Sequence, residues 1–75
     1  MTVQYRVAFG KNDEAIEGPD DASLVVTVGA ADANLEPAVA FMRGKLKSTG
    51  STGELFRLFR SGEAAAVISR LASRP

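Results

Sequence analysis

Four hydroxyl side chains, two lysines and three glycines crowd residues 43–53, RGKLKSTGSTG. Such a run could cradle phosphate in a glycine-rich loop, or pair a serine nucleophile with a lysine base. The phosphate loop requires a glycine five residues ahead of Gly44 and Ser or Thr directly after Lys45, and Val39 and Leu46 occupy those places. A Ser–Lys dyad requires a desolvated lysine with a lowered pKa. Lys45 and Lys47 instead flank Leu46 in the pattern of an edge strand with a solvated lysine face. The acidic pairs Asp13–Glu14 and Asp20–Asp21 lie in turn-rich segments without the ordered alternation of a calcium loop, and read as solvated turns. Histidine and cysteine are both absent. Imidazole acid–base chemistry, thiolate nucleophiles, disulfides and Cys/His metal sites therefore drop out together. No catalytic residue, metal ligand or cofactor is assigned, and the chain is not expected to be an enzyme.

The same region is rich in apolar side chains. Phe41, Met42, Leu46, Leu55, Phe56, Leu58 and Phe59 fall within nineteen residues, more than a thin layer of helix on a small sheet obviously buries. Three uses are open on residue type alone: ordinary core, a subunit interface, or a pocket for an apolar ligand. A chain of 75 residues is close to the lower limit at which a single core suffices without disulfides or metal. A ligand or a second subunit is then the remaining staple.

The formal net charge is zero, but residues 1–36 carry two basic and seven acidic side chains, and residues 37–75 carry seven basic and two acidic. The two parts attract each other within one fold or between subunits, and the basic part also suits transient contact with an anionic membrane surface. Nucleic acid is not an expected partner, because phosphate binding draws on net positive charge. No window approaches the roughly 18 apolar residues of a membrane span, and the N-terminus lacks a basic segment followed by an apolar run. A cytoplasmic location is expected.

These residues need elements to position them. Val3, Tyr5, Val7 and Phe9 alternate with Thr2, Gln4, Arg6 and Ala8, the period of a strand with one buried face. GKND reverses the chain, EAIE pairs back with Ile16 inward, GPDD turns again, and SLVVTV places Leu24, Val26 and Val28 on one face. The first 28 residues thus predict a three-stranded antiparallel meander. Pro37 opens a short helix over PAVAFMR that ends at Gly44, and residues 45–49 form a further strand. A greasy helix starts at Glu54, with Leu55, Leu58 and Phe59 on one face and Arg57 and Arg60 elsewhere. Ser61 caps a last helix whose Ala64, Val67, Ile68 and Leu71 recur at helical spacing. The expectation is one α+β domain over residues 1–75, a small antiparallel sheet covered by helices.

Residues 39–59 now carry a further signal. Phe41, Met42, Gly44, Lys45, Leu46, Lys47, Gly50, Leu55 and Leu58 form an aromatic-containing helix, a Gly-Lys-apolar-Lys strand, a Gly-led turn and an apolar helix. That sequence resembles the signature of the sterol carrier protein family, the type-2 sterol-carrier lipid-binding domain, as a shortened member. The upstream DDASLVVTV and YRVAFGKNDEAIEG are similar to the family's preceding strands. The resemblance implies helices over a mostly antiparallel sheet, enclosing an apolar tunnel for acyl chains or sterols, without catalysis. It implies ligand contacts from Phe41, Met42, Leu46, Leu55, Phe56 and Phe59, with Lys45 and Lys47 meeting a carboxylate or head group. Only GAADANLE separates the VTV strand from the AFM helix, shorter than the family's helical segment. A wall so shortened is completed by dimerisation, with Val67, Ile68 and Leu71 at the interface. The alternative is a homodimeric interaction or accessory module whose apolar surface is filled by another subunit.

Overall fold

The computed structural model describes residues 2–73. Its elements are strand β1 (Val3–Gly10), strand β2 (Asp13–Glu17), strand β3 (Leu24–Gly29), a 3-10 turn (Ala30–Asp32), helix α1 (Pro37–Met42), strand β4 (Leu46–Thr49), helix α2 (Thr52–Ser61) and helix α3 (Glu63–Ala72). The α+β class expected from the sequence is observed: a four-stranded sheet in the order β2-β1-β3-β4 with helices packed against it.

The pairing differs from a meander. β1 and β2 form the expected hairpin, turning through Asn12 at φ 63°, a left-handed conformation that asparagine tolerates. β3, however, does not lie beside β2. It pairs with β1, in parallel, with Val3 opposite Leu24 and Val7 opposite Val28. The sheet is therefore mixed, and β1 is a central strand rather than an edge. β4 closes the other side antiparallel to β3, with Leu46 opposite Val28.

Residues 18–23 carry the chain from the end of β2 past the start of β1, and the crossing is tight. Gly18 sits at φ 115°, and a Cβ there would lie 2.2 Å from the Val3 carbonyl oxygen. The same device recurs one strand over, where the chain leaves β4: Gly50, at φ 114°, would place a Cβ 2.4 Å from the Ser23 carbonyl. Only glycine accepts that backbone and that proximity together. Between the two crossings Thr2 and Ser23 clip the starts of β1 and β3: Ser23 N donates to Thr2 Oγ1 at 3.0 Å and Ser23 Oγ donates to the Thr2 carbonyl at 3.1 Å.

One face of the sheet is covered. Tyr5, Val7, Leu24, Val26, Val28 and Leu46 project from it into a core completed by Ala40, Leu55, Leu58, Ala64 and Ile68. α3 lies over β1 and β2, α1 lies against β4, and α2 packs on α3. Alternation puts the intervening residues on the uncovered face, where Ile16, Arg6, Thr27 and Lys47 align across the strands. Ile16, expected to point inward, is on this open face and 46% exposed. The register explains it: Ile16 is opposite Arg6, and only the neighbours of Arg6 in sequence, Tyr5 and Val7, point toward the helices. Gln4 is buried on the open face (1% exposed), where its amide donates to Asp20 Oδ1 at 3.1 Å and accepts from Arg6 Nε at 2.8 Å.

Candidate functional site

α1 has six residues, with Pro37 in its first turn, where a missing N–H leaves no bond unmade. It stops at Arg43, and Gly44 continues at φ 74°. The amide of Gly44 donates to the Phe41 carbonyl at 3.1 Å and that of Lys45 to the Ala40 carbonyl at 2.8 Å. These two bonds are the Schellman pattern of a helix C-terminus. The Gly-Lys pair is a helix stop, and both of its amides, which a phosphate loop would aim at an anion, are spent on α1's own carbonyls.

β4 then directs Leu46 into the core and Lys47 away from it. Ser51 caps α2, its Oγ accepting from Glu54 N at 3.4 Å, and Glu54 stands in the first turn of the helix. Leu55 and Leu58 enter the core from α2, while Phe56 and Phe59 meet Phe41 of α1. The three rings form a closed triangle: Phe41 and Phe56 are edge to face with centroids 5.7 Å apart, Phe41 and Phe59 are 6.1 Å apart, and Phe56 and Phe59 are 5.8 Å apart. Such spacings are attractive beyond simple area burial. Phe41 and Phe59 rest on the core, Phe56 is 43% exposed, and Met42, beside Phe41, is 83% exposed.

The residues assigned from the sequence thus separate into layers. Phe41, Phe56 and Phe59 come together, and Met42, next to Phe41 at the end of α1, is exposed. Leu46 and Leu55 do not join them as an exposed lining; at 2% and 0% exposure they are core beneath the rings. Lys45 is exposed, three residues beyond the end of α1. Lys47 is opposite Thr27 on the uncovered face of the sheet, so it does not share a surface with the rings. Of the expected interface residues, Ile68 is 3% exposed inside the chain's own core, and Val67 and Leu71 are half-buried against it. α3 uses that stripe to cover its own sheet, with Ile68 innermost and Val67 and Leu71 part-exposed at its margin.

Arg60 had been placed away from the apolar face, yet it lies one helical turn beyond Phe56 and shares its side of α2. The spacing of four residues was the available signal. Arg57 pairs with Glu54 at 3.7 Å, while Arg43, Lys45 and Arg60 have no ion pair among the described residues.

A separate cleft of about 250 Å³ opens between residues 33–37 and α3, bordered by Leu35, Pro37, Ala65 and Ile68, with Asn34 and Ser69 supplying polar groups. It is smaller than the roughly 300–1,000 Å³ usual for small-molecule sites. Of the residues assigned from the sequence, Ile68 alone borders it. No described helix is long and apolar enough to cross a membrane. No family model and no curated protein sequence matches the chain, so the resemblance over residues 39–59 rests on those residues themselves.

Proposed function

We propose that this domain binds, without catalysis, a lipid or other amphiphile with an apolar tail, and that it does so on the surface formed by Phe41, Phe56, Phe59 and Met42. The observation that carries the reading is the half-exposed Phe56 ring, held in place by two further rings. A ring locked in this way presents apolar area to solvent with little conformational entropy left to lose on binding. Arg60, one turn along α2 from Phe56, and Lys45, just past α1, are the cations that would meet a carboxylate or phosphate head group. The resemblance to the sterol carrier signature supports the same ligand class, with the tail laid on a surface rather than threaded through a tunnel.

The affinity follows from the geometry. A fully covered methylene contributes about 0.8 kcal/mol, so on the order of five of them supply about 4 kcal/mol, a dissociation constant near 1 mM. Single amphiphiles therefore bind weakly. Titration with decanoate, followed by amide NMR shifts, tests this. Shifts centred on residues 41–45 and 56–60, absent in Phe56→Asp, are expected. Shifts confined to the cleft at residues 33–37 and 65–69 would overturn the assignment, as would a concentration-dependent dimer that Phe56→Asp dissolves, since a second copy would then occupy the rings.

A further inference from the structure

We infer that the partner of this surface is the anionic face of a lipid bilayer, with Met42 and Phe56 entering among the head groups and Arg43, Lys45 and Arg60 meeting lipid phosphate. This rests on the reading of the aromatic cluster as an amphiphile site and names what presents the amphiphile.

Three observations lead to it. The first is shape. Phe56 stands out from α2 on the two part-buried rings of Phe41 and Phe59, with the core packed behind them by Leu46, Leu55 and Leu58. One dissolved tail covers such a surface from one side and wets the rest, whereas a lipid layer covers all of it at once.

The second is local charge. Residues 41–60 contain five basic side chains and one acidic, and that acid, Glu54, is held by Arg57. Lys47 faces away, which leaves Arg43, Lys45 and Arg60 as exposed cations on the segments that carry the rings. Each basic residue near an anionic bilayer adds a useful increment of attraction.

The third is the distribution of charge over the whole molecule. The strand order places β2, with Asp13, Glu14 and Glu17, at one edge of the sheet, followed by a loop with Asp20 and Asp21. β4, with α1 packed against it, forms the opposite edge. Glu17 is paired with Arg70 and Glu14 with Arg6; with Lys11 of the β1–β2 turn these arginines set three bases against the five acids of residues 13–21, so the edge keeps an acidic excess. Arg70 crosses to the acidic edge with α3 and Glu36 opens α1, so part of the segregation read along the chain is kept as a separation across the sheet, three strand spacings or roughly 14 Å wide. A negative surface turns the domain so that the aromatic edge leads. An acidic peptide would satisfy the cations but leave Met42, at 83% exposure, without an apolar partner.

Co-flotation of the intact chain with vesicles tests the inference, comparing phosphatidylcholine alone with phosphatidylcholine mixed with phosphatidylglycerol. Binding to the mixed vesicles, little to the neutral ones, and loss of binding in molar salt are expected. Lys45→Ala combined with Arg60→Ala should weaken binding about thirty-fold. Phe56→Asp should abolish it, and Met42→Ser, at a position too exposed to affect folding, should weaken it several-fold. Equal binding to both vesicle types would overturn the role of charge. Binding insensitive to both Phe56→Asp and Met42→Ser would overturn insertion and leave simple electrostatic adsorption. Absence of vesicle binding while decanoate still shifts the amides of residues 41–45 and 56–60 would refute the bilayer and leave the amphiphile site standing; loss of both would remove the two together.

Discussion

The phenolic hydroxyl of Tyr5 donates to Glu63 Oε2 at 3.1 Å, joining the central strand of the sheet to the first turn of α3. Tyr5 is 3% exposed. Its burial first, then the Glu63 carboxylate that accepts its hydrogen bond, and then the charge of Glu17 push its pKa well above the ordinary phenol range. A raised acid pKa stabilises the fold fully below the unfolded value, near 10, and the stability is lost as pH rises above it. Unfolding free energy should therefore fall by about 1.4 kcal/mol per pH unit above about pH 10 on account of this group. Tyr5 is the only tyrosine in the chain, so tyrosinate absorbance of the folded protein reports it directly. Ionisation at an ordinary phenol pKa would contradict the prediction, and Tyr5→Phe should remove this part of the alkaline loss while costing roughly 1 kcal/mol at neutral pH.

The two strand crossings predict a pair of costly substitutions. Gly18→Ala and Gly50→Ala each combine left-handed backbone with a Cβ inside 2.5 Å of a carbonyl oxygen. Each should destabilise by at least about 2 kcal/mol. Gly44→Ala, at φ 74° but with open space around the new methyl, should cost only about 1 kcal/mol. Urea denaturation of the three variants gives the ranking, and Gly44→Ala as the most damaging would contradict it.

Adjacent residues of α2 should divide stability from binding. Leu55 is 0% exposed, and Leu55→Ala should cost about 2–5 kcal/mol through loss of burial and the cavity left behind. Phe56→Ala removes one ring of a surface triangle and should cost about 1 kcal/mol. It should nevertheless eliminate the decanoate response. Thermal melts and the NMR titration, run on both variants, separate the two roles; equal destabilisation would mean that Phe56 is core.

Gln4 makes a fourth prediction on the opposite face. Its side chain links Asp20 to Arg6, and Arg6 also reaches Glu14 at 3.5 Å. Gln4→Ala opens a gap under a covering loop and should cost about 1–3 kcal/mol. Arg6→Ala removes a part-exposed side chain and opens the Gln4 side-chain carbonyl to water, and should cost no more than about 1 kcal/mol. A larger loss for Arg6→Ala in chemical denaturation would reverse this ordering.

Much of this arrangement was legible from residue spacing. Leu24, Val26 and Val28 alternate cleanly, and they are the buried row of β3. Pro37 and Gly44 bound α1 as their backbone preferences require. Alternation assigns faces but not neighbours, so the same pattern accommodates an antiparallel meander and the observed parallel β1–β3 pair. Ile16 went to the wrong face for that reason: a five-residue strand with one large apolar side chain has too weak a pattern to fix its register. Gln4 was unreadable because its burial comes from a loop distant in sequence. In α2 the apolar residues span Leu55, Phe56, Leu58 and Phe59, an arc wider than the contact it makes with the core. Spacing put Leu55, Leu58 and Phe59 on one face with Phe56 beside it, as observed, but could not give the depth at which Leu55 is buried.

The order of elements along the chain has a consequence for folding. The sheet is complete by Thr49, but Leu55, Leu58, Ala64 and Ile68, which cover its apolar face, belong to the last two helices. A nascent or truncated chain ending before Thr52 has all four strands and an uncovered row of Tyr5, Val7, Leu24, Val26, Val28 and Leu46. Strand pairing without that lid favours association between chains over folding within one. The final third of the sequence thus acts as a tethered chaperone for the part made before it.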